Sequence, residues 1–164
     1  MERRKFVTLV LGGFGFAALS SWLKVGEAFA AETITKLIKS NDEWKKALTP
    51  AQYDVLREEG TERPFTSALL DEHRAGIFVC VACDLPLFSS ATKFDSGTGW
   101  PSFYDAIPDH LGNTIDHKLI YPRTEYHCAR CGGHHGHVFN DGPKPTGLRY
   151  CNNGVALKFI PEKG

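Results

Sequence analysis

The sequence predicts a mainly β domain: two antiparallel sheets behind short N-terminal helices, with a structural four-cysteine zinc site. Three observations predict it. From Ala75 onward short β-type runs are punctuated by turn residues, with no long helical pattern between them, which argues antiparallel pairing rather than βαβ units. Two knuckles, Cys80-x-x-Cys83 and Cys128-x-x-Cys131, stand 44 residues apart at strand ends. The helical signals are confined to two short stretches before Gly60.

Residues 1–30 read as an export signal. Arg3-Arg4-Lys5-Phe6 leads into an apolar stretch, and Ala28-Phe29-Ala30 supplies an A-x-A cleavage signature. The paired arginines with Phe two places on resemble a twin-arginine signal, although Glu2 stands where that pattern prefers Ser or Thr. The expected location is therefore periplasmic. The alternative is an uncleaved anchor holding the domain at the membrane on its periplasmic side, the one membrane contact the sequence suggests. The segment carries four of 19 basic and two of 19 acidic residues, leaving 15 against 17 beyond it. A net charge of −2 gives no footprint for nucleic acid.

Residues 31–39 read as a tether and 40–164 as the domain. Ser40-Asn41-Asp42-Glu43 supplies a cap and early acids for a helix through Trp44 to Leu48. Thr49 caps a second helix with Pro50 at its first position, running to Arg57 and stopped by Gly60. The predicted strands are Gly76 to Val81, Asp84 to Phe88, Leu119-Ile120-Tyr121, Glu125 to Cys128, His137 to Phe139, Leu148 to Asn153 and Val155 to Ile160.

Each knuckle presents two thiolates, so the pairs together complete a closed tetrahedral site for one structural Zn(2+) per chain: Cys80, Cys83, Cys128 and Cys131. Two disulfides or a redox-active Cys-x-x-Cys are the alternatives, the latter lacking its usual βαβ frame. With five cysteines in all, Cys151 is left over. On a strand, alternate side chains share a face, which puts Arg149, Cys151 and Asn153 together. A cation beside a thiol lowers its pKa, and an amide can hydrogen-bond reacting groups. His134 and His137 can reach the same place if the Pro143–Pro145 loop folds the flanking strands together. No carboxylate stands at ligand spacing from these histidines, and His135 reads as a solvated side chain. Around Thr98, Gly97 and Gly99 allow tight turns, and Trp100-Pro101 forms a rigid aromatic surface or part of the core.

These residues carry a resemblance. Gly60-Thr61-Glu62-Arg63-Pro64-Phe65, residues 94–103, His134-x-x-His137-Val138-Phe139 and Gly147-Leu148-Arg149-Tyr150-Cys151-x-Asn153 resemble the methionine-R-sulfoxide reductase family over residues 44–162. The resemblance implies an oxidoreductase in which Cys151 attacks a sulfoxide sulfur and becomes a sulfenic acid. It further implies that His134, His137 and Asn153 bind and polarise the sulfoxide or supply a proton, and that Arg149 keeps the thiol anionic. Trp100 and Phe139 are implied in substrate binding, with Trp100 taking the methyl group and selecting one epimer. The partners implied are oxidised methionine in proteins or peptides and a thioredoxin-like or other thiol reductant. Many members carry a resolving cysteine where this chain has Thr98, so an external thiol is expected to reduce Cys151 directly. The rivals are a zinc-ribbon-type binding module without catalysis, and a thiol–disulfide oxidoreductase using the Cys-x-x-Cys pairs.

Overall fold

The computed structural model describes residues 33–118 and 120–163. The predicted export signal and the first two tether residues lie outside the described residues. The rest of the tether stretch lies against the domain: Ile34 and Leu37 pack on the core, and the Leu37 amide donates to the Arg130 carbonyl at 2.8 Å.

Both helices begin where capping chemistry puts them. α1 (Asn41–Ala47) follows Ser40, whose side chain accepts from the Glu43 amide while Glu43 accepts from the Ser40 amide. α2 (Pro50–Glu58) repeats the same box with Thr49 and Gln52, and has Pro50 at its start. It closes one residue earlier than Gly60, through a left-handed Glu59 (φ 55). Trp44, Val55 and Leu56 are the buried faces of the pair.

Nine strands follow among the described residues: β1 (Gly76–Cys80), β2 (Pro86–Ser89), β3 (Lys93–Phe94), β4 (Ser102–Phe103), β5 (Leu111–Asp116), β6 (Arg123–Cys128), β7 (His134–Phe139), β8 (Arg149–Asn152) and β9 (Leu157–Pro161). They form a three-stranded sheet, β2-β1-β9, and a six-stranded sheet, β3-β4-β8-β7-β6-β5. Every pairing is antiparallel. The expected two-sheet class is what the structure has. An aromatic layer joins the sheets: Phe78 of β1 meets Phe103 of β4 at 4.9 Å edge-on, and Phe88 of β2 stacks on Phe103 at 4.3 Å. Tyr126 and Tyr150 extend it along β6 and β8. Such offset and edge contacts add to the burial of large rings, which is the main stabilising contribution here.

The strand predicted over Leu119-Ile120-Tyr121 is not one. Leu119 lies outside the described residues, and Ile120 and Tyr121 are exposed bends in the β5–β6 connection. The strand in this region is β5, which pairs with β6 from Leu111↔Cys128 to Asp116↔Arg123.

Candidate active site and metal centre

Cys151 sits on β8, inside the six-stranded sheet, opposite Ser102 of β4 on one side and His137 of β7 on the other. Arg149 lies two residues earlier on the same strand, and its positive charge favours the Cys151 thiolate. Burial raises the Cys151 pKa above that of an ordinary thiol, against the pull of Arg149 and of the Thr98 hydroxyl. Arg149 is itself fixed by a two-pronged pair with Asp141, both bonds 2.8 Å, and lies over the Phe139 ring at 4.4 Å. Behind the thiol the backbone is tight. Gly136 of β7 approaches so closely that a Cβ there would collide with the Cys151 carbonyl oxygen.

The histidines meet because β7 carries an extra residue. Tyr126 pairs with Gly136 but His127 pairs with His134, so His135 is unopposed and the strand bulges. In a regular strand His134 and His137 would face opposite ways; with the bulge their rings lie 5.5 Å apart. Each ring is held by a carboxylate. His134 Nδ1 is 2.8 Å from Glu125, which also accepts from Thr114, and His137 Nε2 is 2.8 Å from Asp116, which pairs with Arg123. Burial pushes Glu125 up, yet the His134 and Thr114 bonds prevail and hold it below the usual range. The Lys118 amide and His137 hold Asp116 well below it. Burial lowers the His137 pKa against the opposing pull of Asp116. His135, expected in solvent, is instead fully buried, and burial holds its pKa at about 4, so it stays neutral.

Asn153 falls just past the end of β8 and caps a short 3-10 turn, rather than continuing the strand face. Its oxygen accepts from the Glu62 amide and its nitrogen donates to the His135 carbonyl, both at 3.0 Å, leaving one N–H free. Glu62 ties this end together. Its carboxylate accepts the amides of Gly154 and Val155, and its carbonyl accepts Trp100 Nε1 at 3.1 Å. The outcome is a cleft of about 140 Å³ in which Trp100, His137, Phe139, Cys151 and Asn153 share one wall system. A larger cleft of about 420 Å³ shares Trp100 but holds no thiol, so the sulfur chemistry belongs to the smaller one.

The two knuckles have the same build. The Asp84 amide donates to Cys80 O and the Gly132 amide to Cys128 O, both at 2.9 Å, and each turn then passes through a positive φ (55 and 69). Their four sulfurs all lie within 4.8 Å of one another and could hold a metal ion. Cys80 and Cys131 sulfurs are 3.6 Å apart and Cys83 and Cys128 sulfurs 3.5 Å, close to the edge of about 3.8 Å for a tetrahedron of thiolates around a zinc-sized ion. All five cysteines are free thiols. Arg57, Arg130 and Lys36 donate to the Cys131, Cys83 and Ala129 carbonyls, surrounding the thiolate cluster with positive charge. Cys151 is not among the four.

Residues 48–161 match the SelR domain family. The chain belongs to this family, that of the methionine-R-sulfoxide reductases. It is similar to the peptide methionine sulfoxide reductase MsrB of Leifsonia xyli subsp. xyli, 54% identical over 129 residues, 77% of this chain and 93% of that one. The MsrB of Methanosarcina barkeri is 56% identical over 126 residues, 76% and 89% of the two chains. The chloroplastic peptide methionine sulfoxide reductase B1 of Arabidopsis thaliana is 48% identical over 152 residues, 92% and 75%. A crystal structure of the Mis18 'Yippee-like' domain aligns with 56% of this chain and 100% of its own at 17% identity and a TM-score of 0.43, too slight a likeness to bear on fold or function.

Within this family frame, the structure gathers Trp100, His137, Phe139, Cys151 and Asn153 around one cleft and sets His134 and Arg149 directly behind it. Sequence reasoning missed Asp116, Glu125, Asp141 and Glu62. Glu62 had a signal, since it lies in the Gly60–Phe65 motif that carries the resemblance. Glu62→Gln keeps the shape but turns one acceptor into a donor facing a backbone amide. It is expected to cost about 1–3 kcal/mol in urea unfolding and to lower kcat/KM for sulfoxide about tenfold or more, as residue 62, whose backbone anchors Trp100 and Asn153, loses its hold on the Gly154–Val155 turn. An unchanged kcat/KM would show that Glu62 does not hold these two side chains.

Proposed function

We propose that this chain reduces the R epimer of methionine sulfoxide, in proteins and in the free amino acid, through Cys151. As a member of its family it is an oxidoreductase acting on methionine sulfoxide. The finer reading rests on one observation: a lone thiol, beside a guanidinium, facing an imidazole and an indole across a cleft of single-side-chain size.

Cys151 attacks as thiolate, helped by Arg149, which Asp141 holds in place. As sulfur meets sulfur, the sulfoxide oxygen gains negative charge and takes a proton. His137 is the proton donor, with its far nitrogen anchored on Asp116, and His134 on Glu125 supports it. The free N–H of Asn153 points the oxygen. Sulfoxide, thiolate and one proton yield thioether and Cys151 sulfenic acid: the substrate sulfur gains two electrons and the cysteine sulfur loses them. An external thiol then condenses with the sulfenic acid and expels water, and a second thiol releases Cys151 as the reductant becomes a disulfide. Trp100 and Phe139 form the apolar wall for the methyl group, and that placement selects the epimer. The soft four-thiolate cage suits one Zn(2+), with no position open for water and hence a structural role.

Steady-state assays on the separated sulfoxide epimers test the proposal. With dithiol present, only the R epimer should be consumed. With one equivalent of substrate and no thiol, Cys151 should become heavier by one oxygen and stay so. Consumption of the S epimer would overturn the epimer assignment. A disulfide from Cys151 to Cys80, Cys83, Cys128 or Cys131 would overturn the recycling route.

A further inference from the structure

The larger cleft, of about 420 Å³, takes no part in the reaction above, yet one side chain joins it to that reaction. Trp100 lines it and lines the Cys151 cleft as well. The bond from its Nε1 to the Glu62 carbonyl, 3.1 Å long, fixes the indole there. A sulfoxide seated against Trp100 in the smaller cleft therefore has the larger one as its neighbour. Ligand-holding clefts measure about 300–1,000 Å³, so the larger one has room for more of a substrate than its reacting side chain.

Phe65 lines this cleft in a conformation that costs energy. Its φ of 62 lies in the left-handed region, which bulky residues avoid. Two contacts hold it there. The Phe65 amide donates to the Gly99 carbonyl at 2.7 Å, and the Phe65 ring fills the place a Cβ on Gly99 would need. The ring gains little burial in return, being 71% exposed. Singly exposed apolar side chains are ordinary. One fixed by a strained backbone beside an open cleft is the kind of outlier that marks a binding surface.

The charged side chains lining the cleft are Asp71, Glu72, Asp95 and Lys93. Glu72 is taken by Arg74 at 2.5 Å. Lys93 donates to the Leu70 carbonyl at 2.8 Å. One oxygen of Asp95 accepts the Gly97 amide at 2.8 Å, and both Asp71 and Asp95 are exposed. Two carboxylates thus stand against one ammonium already bonded to backbone, and that surplus suits a cation.

We propose that this cleft holds the polypeptide next to a methionine sulfoxide. Phe65 packs on that chain, and Asp71 and Asp95 favour a lysine or arginine close to the oxidised residue. The proposal rests on Cys151 reducing methionine sulfoxide and adds to it a preference among protein sites. The occupant is a peptide because one covalent chain can rest on both sides of the shared Trp100 wall, whereas a free amino acid ends before the second cleft begins.

The test compares kcat/KM for R-sulfoxide substrates with the full, metal-loaded chain: the free amino acid, and two blocked alanine-based peptides flanking the sulfoxide with lysines or with glutamates. The lysine peptide should exceed the glutamate peptide by about threefold or more at low salt, and the gap should close at about 1 M salt, where the screening length is about 3 Å. Asp71→Asn combined with Asp95→Asn, which keeps the acceptor for Gly97, should close it too. Phe65→Ala should lower kcat/KM about fivefold or more for both peptides and leave the free amino acid unchanged. The two aspartates are exposed, so their variant carries the test should Phe65→Ala fail to fold. Equal loss on peptides and free amino acid would show that Phe65 serves only the Trp100 loop, and would overturn the proposal. Peptide turnover untouched by Phe65→Ala would overturn it as well, as would a lysine preference that is absent or survives both asparagines. Binding is read separately, as fluorescence anisotropy of a labelled lysine peptide on the same chains. Binding that depends on Phe65, Asp71 and Asp95 as expected, in a chain that reduces neither peptide nor amino acid, would sink the reductase reading alone.

Discussion

Cys151→Ser is expected to abolish sulfoxide reduction, lowering kcat/KM by about 10⁵-fold or more, while fold and metal content remain unchanged. Oxygen replaces sulfur at nearly the same size, at a half-buried position outside the main core cluster. Its β8 pairings with Ser102 and His137 use backbone groups that the substitution leaves alone. The unfolding free energy should therefore stay within about 1 kcal/mol of the parent. The chemical loss is complete for a different reason. Arg149 and Thr98 can stabilise a thiolate against the effect of burial, but a serine hydroxyl stays protonated at any pH the fold tolerates. Nor can it cycle through a sulfenic acid. The assay is turnover with a dithiol, run beside metal analysis and circular dichroism on the same preparation. Retained turnover with an intact metal site would move the nucleophile elsewhere and restore the oxidoreductase rival built on the Cys-x-x-Cys pairs. Lost metal in this variant would mean that Cys151 belongs to the cage.

What could be seen in the sequence, and what could not, follows the range of the interactions. The helix starts were legible because capping is local: Ser40 with Glu43 and Thr49 with Gln52 are three residues apart and need nothing else to form. The two knuckles were legible for the same reason, since a Cys-x-x-Cys turn fixes its own two thiols. β5 was not. Leu111–Asp116 has almost no apolar alternation and lies at the sheet edge, largely exposed, so β6 alone makes it a strand. Ile120 and Tyr121 misled in the opposite sense, being β-formers placed in an exposed connection. The carboxylates behind the histidines were invisible because Glu125 stands nine residues from His134 and Asp116 stands 21 from His137. They meet through the register of three strands and one bulge, and a one-residue slip in any of these would separate them. Reading Arg149, Cys151 and Asn153 as one strand face found the right neighbourhood by a simpler geometry than the chain uses, since Asn153 reaches the cleft only after β8 has ended.

Metal removal is expected to have the largest effect on stability. The cage links the β1–β2 turn to the β6–β7 turn, so one ion there would join the two sheets, and Arg57 of α2 donates to the Cys131 carbonyl at the same place.

 The first sheet contributes Cys80 at the end of β1 and Cys83 beyond it, and the second contributes Cys128 at the end of β6 and Cys131 before β7. Without the ion, four thiols crowded within 4.8 Å have nothing to hold them, and their ionised forms repel. Structural zinc in small domains contributes on the order of 10 kcal/mol, comparable to the whole net stability of an ordinary domain. This chain also has its own aromatic core, so part of the fold should persist and the loss should appear as a fall in melting temperature of about 20 °C or more. Activity should fall with it, because His134 starts β7 three residues after Cys131, and the bulge that brings it to His137 follows at once. Cys128→Ser, or chelation under mild denaturant, should give metal-free protein with both losses, and adding zinc back to the chelated chain should reverse them. A metal-free chain that melts with the parent and keeps its turnover would show that the four thiols are not a structural metal site.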